Sequence, residues 1–313
     1  MFIGSSDDVA LAAAIVLSLL GEPVERVTPL VGKGLVNKVF VVEASSRRVV
    51  VRMSDRPEAP DEYAKEAWCI ERAAARGVPT PVVLGVGLRG GHAYLVEAFV
   101  EGDEGRDSTA VRTGVWHALG EHARLIHSIP VPGFGLRLSE ITEGDAQKSW
   151  TRYLEYNIES LSEADPLIGL KVVTPAESRA IREVFVGLRG REFTFGLNHG
   201  DLSLKNTIVD ARGRVTLLDW GSAEAAVVPH HDLIQLLKMS MSEGDPGGVE
   251  FGAFLDGYGI SPAELERMTP ELDGLLTLRA FDKLRWAIEW KVEPLSGFVR
   301  HAREAVSLCL RRG

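Results

Sequence analysis

The stretch "FGLNHGDLSLKNTIVDARGRVTLLDWGSAE" (Phe195–Glu224) sets Asp201, Asn206 and Asp219 between runs of apolar residues. Asp and Asn are common turn residues, and a solvent loop would account for any one of them. Three together, with apolar flanks on both sides, need a shared reason, because a carboxylate drawn into apolar surroundings is costly without a partner. Phosphoryl transfer supplies one. It uses a carboxylate to orient the attacking hydroxyl, and a carboxamide and a second carboxylate as oxygen ligands for magnesium on the nucleotide phosphates.

The rest of such an apparatus is legible upstream. "VGKGLVNKVF" (Val31–Phe40) puts Gly32 and Gly34 ahead of a strand, where bare backbone can approach phosphates; Asn37 stands at the third position of a G-x-G-x-x-G spacing. On the next strand, "VVVRMS" places Arg52 where the protein-kinase scheme has a lysine for the α- and β-phosphates, and a guanidinium can hold the same oxygens bidentately. Its partner is expected on the following helix. Glu66 is preferred to Glu62, because Glu66 lies on the stripe of Tyr63 and Ile70 that must face the sheet. "AYLVEAFVEG" has the form of a strand running into an interlobe connection. By position the Glu97 carbonyl and the Phe99 amide would meet a purine edge, with Val96 behind the base.

The chain has 313 residues, with 45% hydrophobic and 25% charged, ordinary for a soluble globular protein. Cys69 and Cys309, its two cysteines, sit among apolar residues at helical spacing and read as reduced thiols of a cytoplasmic protein. The apolar run Val9–Leu20 is too short to span a bilayer and lacks the basic flank of a signal peptide. With Ser6 and two aspartates before it and Gly21 after it, it predicts an opening helix. A net charge of −9 argues against nucleic acid as a partner. The residues after Glu97 carry 32 acidic against 24 basic side chains and so hold most of that charge, either as solvated surface or as attraction for a cationic ligand.

From Val24 to Val100, β-branched runs separated by turn residues predict a small antiparallel sheet with one inserted helix, "PDEYAKEAWCIERAAARGV". Beyond Gly102 long helical segments are expected: Thr113–Ser128, Ala146–Ser162, Pro175–Arg189, His231–Ser242, Val249–Tyr258 and Leu272–Val292, with a hairpin around "DARGR". The fold class is therefore α+β and bilobal, with residues 1–100 as a nucleotide-binding N-lobe and 101–313 as a helical C-lobe.

The chain resembles the aminoglycoside phosphotransferase and choline kinase superfamily, small-molecule kinases with a protein-kinase-like fold. "LVGKGLVNKVF", "VVVRMS", "YLVEAFVEG", "LGEHARLIHSIP", "HGDLSLKN", "LLDWGSAE", "PHHDLIQLL" and "FLDGYG" carry the resemblance over nearly the whole length. It implies Asp201 as catalytic base, Asn206 and Asp219 as Mg2+ ligands, and Arg52 with Glu66 as the phosphate-positioning pair. His127 and Asp232 match positions that look structural, and Ser203 replaces a histidine common in the family. The twelve residues between Asp219 and Asp232 leave no room for the activation segment of a protein kinase, and no A-P-E follows.

The acceptor is expected on the helical lobe. On a helix Asp282, Trp286 and Glu289 would share one face, with Trp290 and Glu293 extending it, suited to a sugar ring with amines or hydroxyls. Core tryptophans and solvated acids would give the same spacing. An antibiotic phosphotransferase, a metabolic kinase of the choline, homoserine or sugar type, and a catalytically silent nucleotide-binding module all fit the sequence. The expected partners are ATP or GTP and a small acceptor, with no nucleic acid or membrane and a monomer or homodimer as the assembly.

Overall fold

The computed structural model describes residues 5–30 and 38–311, so Gly32, Gly34 and Asn37 lie outside the described residues. Helix α1 (Ser6–Leu20) is capped by Ser5, rather than the expected Ser6, through a hydrogen bond from the Asp8 amide, and it ends at Gly21 in the left-handed region. Five strands follow: β1 (Val24–Pro29), β2 (Lys38–Ala44), β3 (Arg48–Ser54) and, after helix α2 (Ala59–Ala75), β4 (Val83–Arg89) and β5 (His92–Ala98). They form one antiparallel sheet in the order β1-β2-β3-β5-β4.

The period of two sends alternate side chains of this sheet to opposite faces. Phe40, Val42, Val49, Val51, Met53 and Val96 pack on Ala12, Ile15 and Val16 of α1. On the other face Ala93 and Leu95 meet Ala59, Tyr63 and Ala67 of α2. Arg52 stands opposite Leu95 in the β3–β5 register, and Glu97 opposite Val50. Alternation therefore carries both charged side chains to the α2 face, away from α1.

Beyond Gly102 the chain is mostly helical, as expected. β6 (Asp103–Glu104) is followed by α3 (Arg112–His127), the short α4 (Leu138–Thr142), α5 (Ala146–Ser160), the short α6 (Pro166–Gly169) and α7 (Pro175–Arg189). Then come β7 (Thr194–Asn198), the hairpin of β8 (Thr207–Val209) and β9 (Val215–Leu217), β10 (Glu224–Val228), and helices α8 (His230–Glu243), α9 (Gly248–Tyr258), α10 (Pro262–Glu289) and α11 (Ser296–Arg311). β7 pairs with β10, and β6 lies against the β8–β9 hairpin.

Helix α10 starts at Pro262 rather than Leu272. Its first turns are largely exposed, with Leu265 and Met268 half-buried against the core, and the start is set by the Ser261–Glu264 capping box with Pro262 in the first turn. No expectation covered α11, whose Ala302, Ala305, Val306 and Cys309 are buried at helical spacing. Trp116, Phe185, Phe254 and Phe281 fill the core of this part, and both cysteines are buried and unpaired. Helices α3 and α9 cross tightly. A Cβ on Gly120 would lie 2.1 Å from the Phe254 carbonyl oxygen, and one on Gly257 2.0 Å from that of His117. No helix among the described residues is long and apolar enough to cross a membrane.

Candidate active site

Pairing of β7 with β10 delivers the chain at Asn198 into the turn His199–Gly200. Gly200 has φ +77°, and a Cβ there would lie 2.3 Å from the Ser222 carbonyl oxygen, so only glycine fits. The turn is held from below by Asp232, fully buried in the first turn of α8. Its Oδ1 accepts from the Gly200 amide at 2.7 Å, and its Oδ2 accepts from the His199 amide at 3.1 Å and from His127 Nε2 at 2.9 Å. His127 Nδ1 in turn accepts from the Tyr258 hydroxyl at 3.0 Å. Burial alone would raise the Asp232 carboxyl, but His127 and the neighbouring histidines more than offset it and hold it at about 2.

His199 is likewise sealed in. Its Nε2 donates to the Leu218 carbonyl at 3.0 Å and its Nδ1 accepts from the Asp201 amide at 3.3 Å, so the ring is neutral, and burial lowers its pKa. One imidazole thus joins the loop before Asp201 to the segment before Asp219.

Asp201 projects from this braced loop, half-buried. Asn206 Nδ2 donates to Asp201 Oδ2 at 2.8 Å and to its main-chain oxygen at 2.9 Å, which leaves the carboxamide oxygen of Asn206 as the free end. Lys205 Nζ lies 3.2 Å from the same Oδ2 with its side chain half exposed. The Asn206 carbonyl accepts from the Leu218 amide at 2.8 Å and so fixes the hairpin across from Asp219. Asp219 itself has φ +58°, unusual for a residue with a side chain, and its carboxylate is 58% exposed with Arg52 Nη2 4.0 Å away.

From the sheet side Arg52 makes a bidentate contact with Glu66, Nη1 to Oε2 and Nη2 to Oε1, the latter at 3.2 Å. Glu62 is engaged elsewhere, with Arg56. Burial raises the Glu66 carboxyl and Arg52 draws it back down. Burial opposes the charge on Arg52, but Glu66, Glu97 and Asp219 more than offset it and keep the guanidinium charged. Sequence reasoning missed Lys65. Nearly fully buried, it donates from Nζ to the Gly221 carbonyl at 2.7 Å, so adjacent residues of α2 grip β3 and the loop after Asp219. The available signal was a lysine beside Glu66 in a helix that must bury one face.

Three expectations at the end of β5 are corrected. Val96 faces α1, not the cleft; Glu97 occupies the position beside Arg52, and burial raises its carboxyl to about 7 although Arg52 works against this. The Phe99 amide is spent on the Arg48 carbonyl at 3.1 Å. Hydrogen-bonded pairs recur every second residue of an antiparallel ladder, so Glu97 also turns its main-chain groups to β3, and its carbonyl is not presented to a base. The Ala98 amide points the other way, to Val82 at 2.8 Å.

A cavity of about 750 Å³ opens beside the strand that pairs with the catalytic segment. Its aromatic wall is Phe134, Trp150, Tyr153 and Tyr156; Glu224 and Arg279 lie across from it, and Asp282 and Lys283 come from α10. Of the residues expected to hold the acceptor, Asp282 alone lines the cavity. Trp286 is half exposed, Trp290 and Glu289 are exposed, and none of these lines it. Glu289 shares a helical face with Asp282 but lies seven residues on, about 10 Å along the axis, which carries it past the cavity. Glu293 is off that face altogether, since α10 ends at Glu289 and Lys291 turns with φ +52°.

No group of three or more His, Cys, Asp or Glu side chains among the described residues could by itself hold a metal ion. A free carboxamide oxygen on Asn206 and a solvent-facing carboxylate on Asp219, held only by the long 4.0 Å ion pair to Arg52, nevertheless fit Mg2+, which takes one or two protein oxygens and completes its shell from phosphates and water.

The model of a family described as the phosphotransferase enzyme family matches residues 27–270. Comparison with curated proteins gives no match. Among solved structures, a thermostable mutant of aminoglycoside phosphotransferase APH(4)-Ia in ternary complex with AMP-PNP and hygromycin B is 15% identical, covers 95% of this chain and 98% of its own, and superposes with a TM-score of 0.68. The GDP and kanamycin complex of APH(2")-IIIa gives 16%, 96%, 99% and 0.63. A protein provisionally named fructosamine-3-kinase, from Haemophilus somnus 129PT, gives 15%, 96%, 97% and 0.63. At these identities the likeness establishes the kinase-like α+β fold. With the family match spanning most of its length, the chain belongs to the phosphotransferase enzyme family.

Proposed function

We propose that this protein moves the γ-phosphoryl group of ATP or GTP to a hydroxyl of a small molecule. The observation that carries the reading is the convergence of Asp201, Asn206 and Asp219 on a braced hairpin, with the Arg52–Glu66 pair facing Asp219 and a cavity beside the same strands. Residues 1–100 act as the nucleotide-binding lobe and 101–313 as the lobe that holds the catalytic loop and the acceptor. Nucleotide complexes of proteins with this fold support the donor assignment.

Asp201 aligns the acceptor hydroxyl through its carboxylate. As the bond from acceptor oxygen to γ-phosphorus forms and the bond from γ-phosphorus to the β,γ-bridging oxygen breaks, the hydroxyl proton passes to Asp201, and the diphosphate departs with the bonding pair. Mg2+, held by Asn206 and Asp219, would supply charge neutralisation on the phosphates. Arg52, fixed in direction by Glu66, binds phosphate oxygens, and the braced backbone of the Asp201 loop keeps the geometry of attack. The base is met by main-chain groups from the end of β5 onward, beginning with the Ala98 carbonyl, which turns away from β3.

The acceptor is a hydroxylated compound of antibiotic size in the first reading, in keeping with a cavity of about 750 Å³. A metabolic small-molecule kinase is the second, favoured by the likeness to the protein from Haemophilus somnus. The test is a panel of antibiotics and small hydroxy compounds assayed with ATP and GTP for phosphorylated product, run beside Asp201→Ala. Turnover with the intact protein, and its loss in the variant while nucleotide still binds, is the expected result. Substantial turnover by the variant would remove Asp201 from the mechanism.

A further inference from the structure

The charges lining the acceptor cavity differ in how far they are already spent. Glu224 accepts from His231 Nε2 at 2.7 Å and from Arg279 Nη2 at 3.1 Å, while Arg279 Nη1 donates to His231 Nδ1 at 2.8 Å. The imidazole is therefore neutral and the carboxylate is cancelled by one guanidinium; burial opposes this arrangement, and His231 and Arg279 more than overcome it to hold Glu224 far below its usual range. Glu140 caps α4 by accepting from the amides of Leu136 and Arg137, both at 3.0 Å. Burial raises the Asp282 carboxyl, with the Tyr153 hydroxyl and then Arg279 and Arg285 drawing it back.

The cations are not balanced in the same way. Lys283 and Arg152, on the cavity wall, and Lys238, behind it on α8, have no carboxylate within ion-pair distance among the described residues. Partial burial, then Arg279 and Lys238, push the Lys283 ammonium down to about 8. Burial and Arg279 lower Lys238, with Glu243 and then Asp201 pulling it back. His301 from α11 closes the group, and burial with Lys238 and Lys283 lowers it to about 4. Two lysine cations thus stand close to each other, Lys238 within electrostatic reach of the proposed catalytic carboxylate and Lys283 on a cavity that also carries an aromatic wall. Lys283 and Arg152 reach solvent at the cavity mouth and Lys238 is half-buried behind them, so a negative group entering the cavity meets cations that no carboxylate of the protein already engages.

We infer that the acceptor is an anion: a ring-bearing hydroxy compound whose carboxylate or phosphate is received by Lys283 and Arg152 on the cavity wall, with Lys238 behind them on α8, while its body lies on Trp150, Tyr153 and Tyr156. This deepens the phosphotransfer reading and rests on it. It also sets the protein apart from enzymes for polycationic acceptors, since a polyamine would find Asp282 and the amide-bound Glu140 as carboxylates, Glu224 being taken by Arg279, and three unpaired cations to repel it.

The test is calorimetric titration of the intact protein, with ADP present, by matched probes: phenyllactate against phenyllactamide, glucose 6-phosphate against glucose, and kanamycin as the polycation. At least one anion should bind about tenfold or more tightly than its neutral counterpart, and which pair shows it separates carboxylate from phosphate. Lys283→Gln and Lys238→Gln should each shrink that ratio, and the double variant should bring it near one. Asp282→Asn should enlarge it, and this variant keeps the test sharp if a lysine variant misfolds. Kanamycin or a neutral probe binding as tightly as both anions would overturn the inference, as would a preference that survives the double substitution or failure of both anions to bind. Titration of a fluorescent ATP analogue without acceptor separates the two layers. If nucleotide fails to bind while the anion preference stands, the phosphotransfer reading falls; if nucleotide binds and the preference is missing, only this inference falls.

Discussion

The proposed catalytic hairpin and the candidate acceptor cavity adjoin the pair β7–β10, the cavity through β10, yet they are built in opposite ways. The hairpin is local in the chain and fastened at almost every polar group: Asp232, His199 and Asn206 spend their hydrogen bonds on the main chain around Asp201 and Asp219. The cavity is drawn from Phe134 to Lys283 and leaves several charges unspent. Fixed reaction geometry and variable recognition therefore occupy adjoining space without sharing supports. A change of acceptor can be accommodated in the cavity walls while the hairpin stays as it is.

That contrast makes predictions of graded size. Asp201→Ala should lower kcat by about 10²- to 10⁴-fold with little change in nucleotide affinity, checked by product formation and a nucleotide titration. Asp232→Ala should cost about 3 kcal/mol or more of stability, because two amides and an imidazole lose their buried acceptor; urea unfolding measures it, and a loss as small as that of a surface variant would break the claim that the loop hangs on this carboxylate. Glu66→Gln frees one side of Arg52 and should reduce kcat/KM for the nucleotide about 10- to 100-fold, with acceptor binding unchanged.

Glu97 supplies a finer test. Its folded carboxyl lies near 7, above the unfolded value, so its contribution to stability is complete at low pH and is lost as pH rises through the folded value. Denaturation profiles of the wild type should decline relative to Glu97→Gln between about pH 4.5 and 7, the window of that shift. Parallel profiles would put the carboxyl back in its ordinary range. At the bottom of the scale, Trp286→Ala and Glu289→Gln should move stability by no more than about 0.5 kcal/mol and leave probe binding in the cavity unaltered. An effect there would extend the acceptor surface past the end of the cavity.

How much of this was legible follows from the same difference. The hairpin could be read because its chemistry requires particular residue types at fixed main-chain separations, and those survive as spacing in the sequence. The choice of Glu66 over Glu62 was also legible, since one helical stripe must face the sheet. Val96 and Glu97 were not distinguishable: both faces of β5 are covered by helices, so "HAYLVEA" shows no polar alternation to betray which side is which. The cavity was beyond reading because its members meet only after the helices pack. The face of α10 was recognised, but where along its axis the cavity ends depends on α5 and β10, far away in the chain.

The glycine crossing of α3 and α9 has a consequence of another kind. His127 is the last residue of α3, and Tyr258 follows Gly257 at the end of α9, so the two side chains that meet beneath Asp232 ride on helices whose separation is set by missing methyl groups. The crossing works as a spacer gauge for the floor of the reaction centre. Lineages that drift at Gly120 or Gly257 would detune the alignment of Asp201 from the far side of the molecule, without altering a residue that touches nucleotide or acceptor.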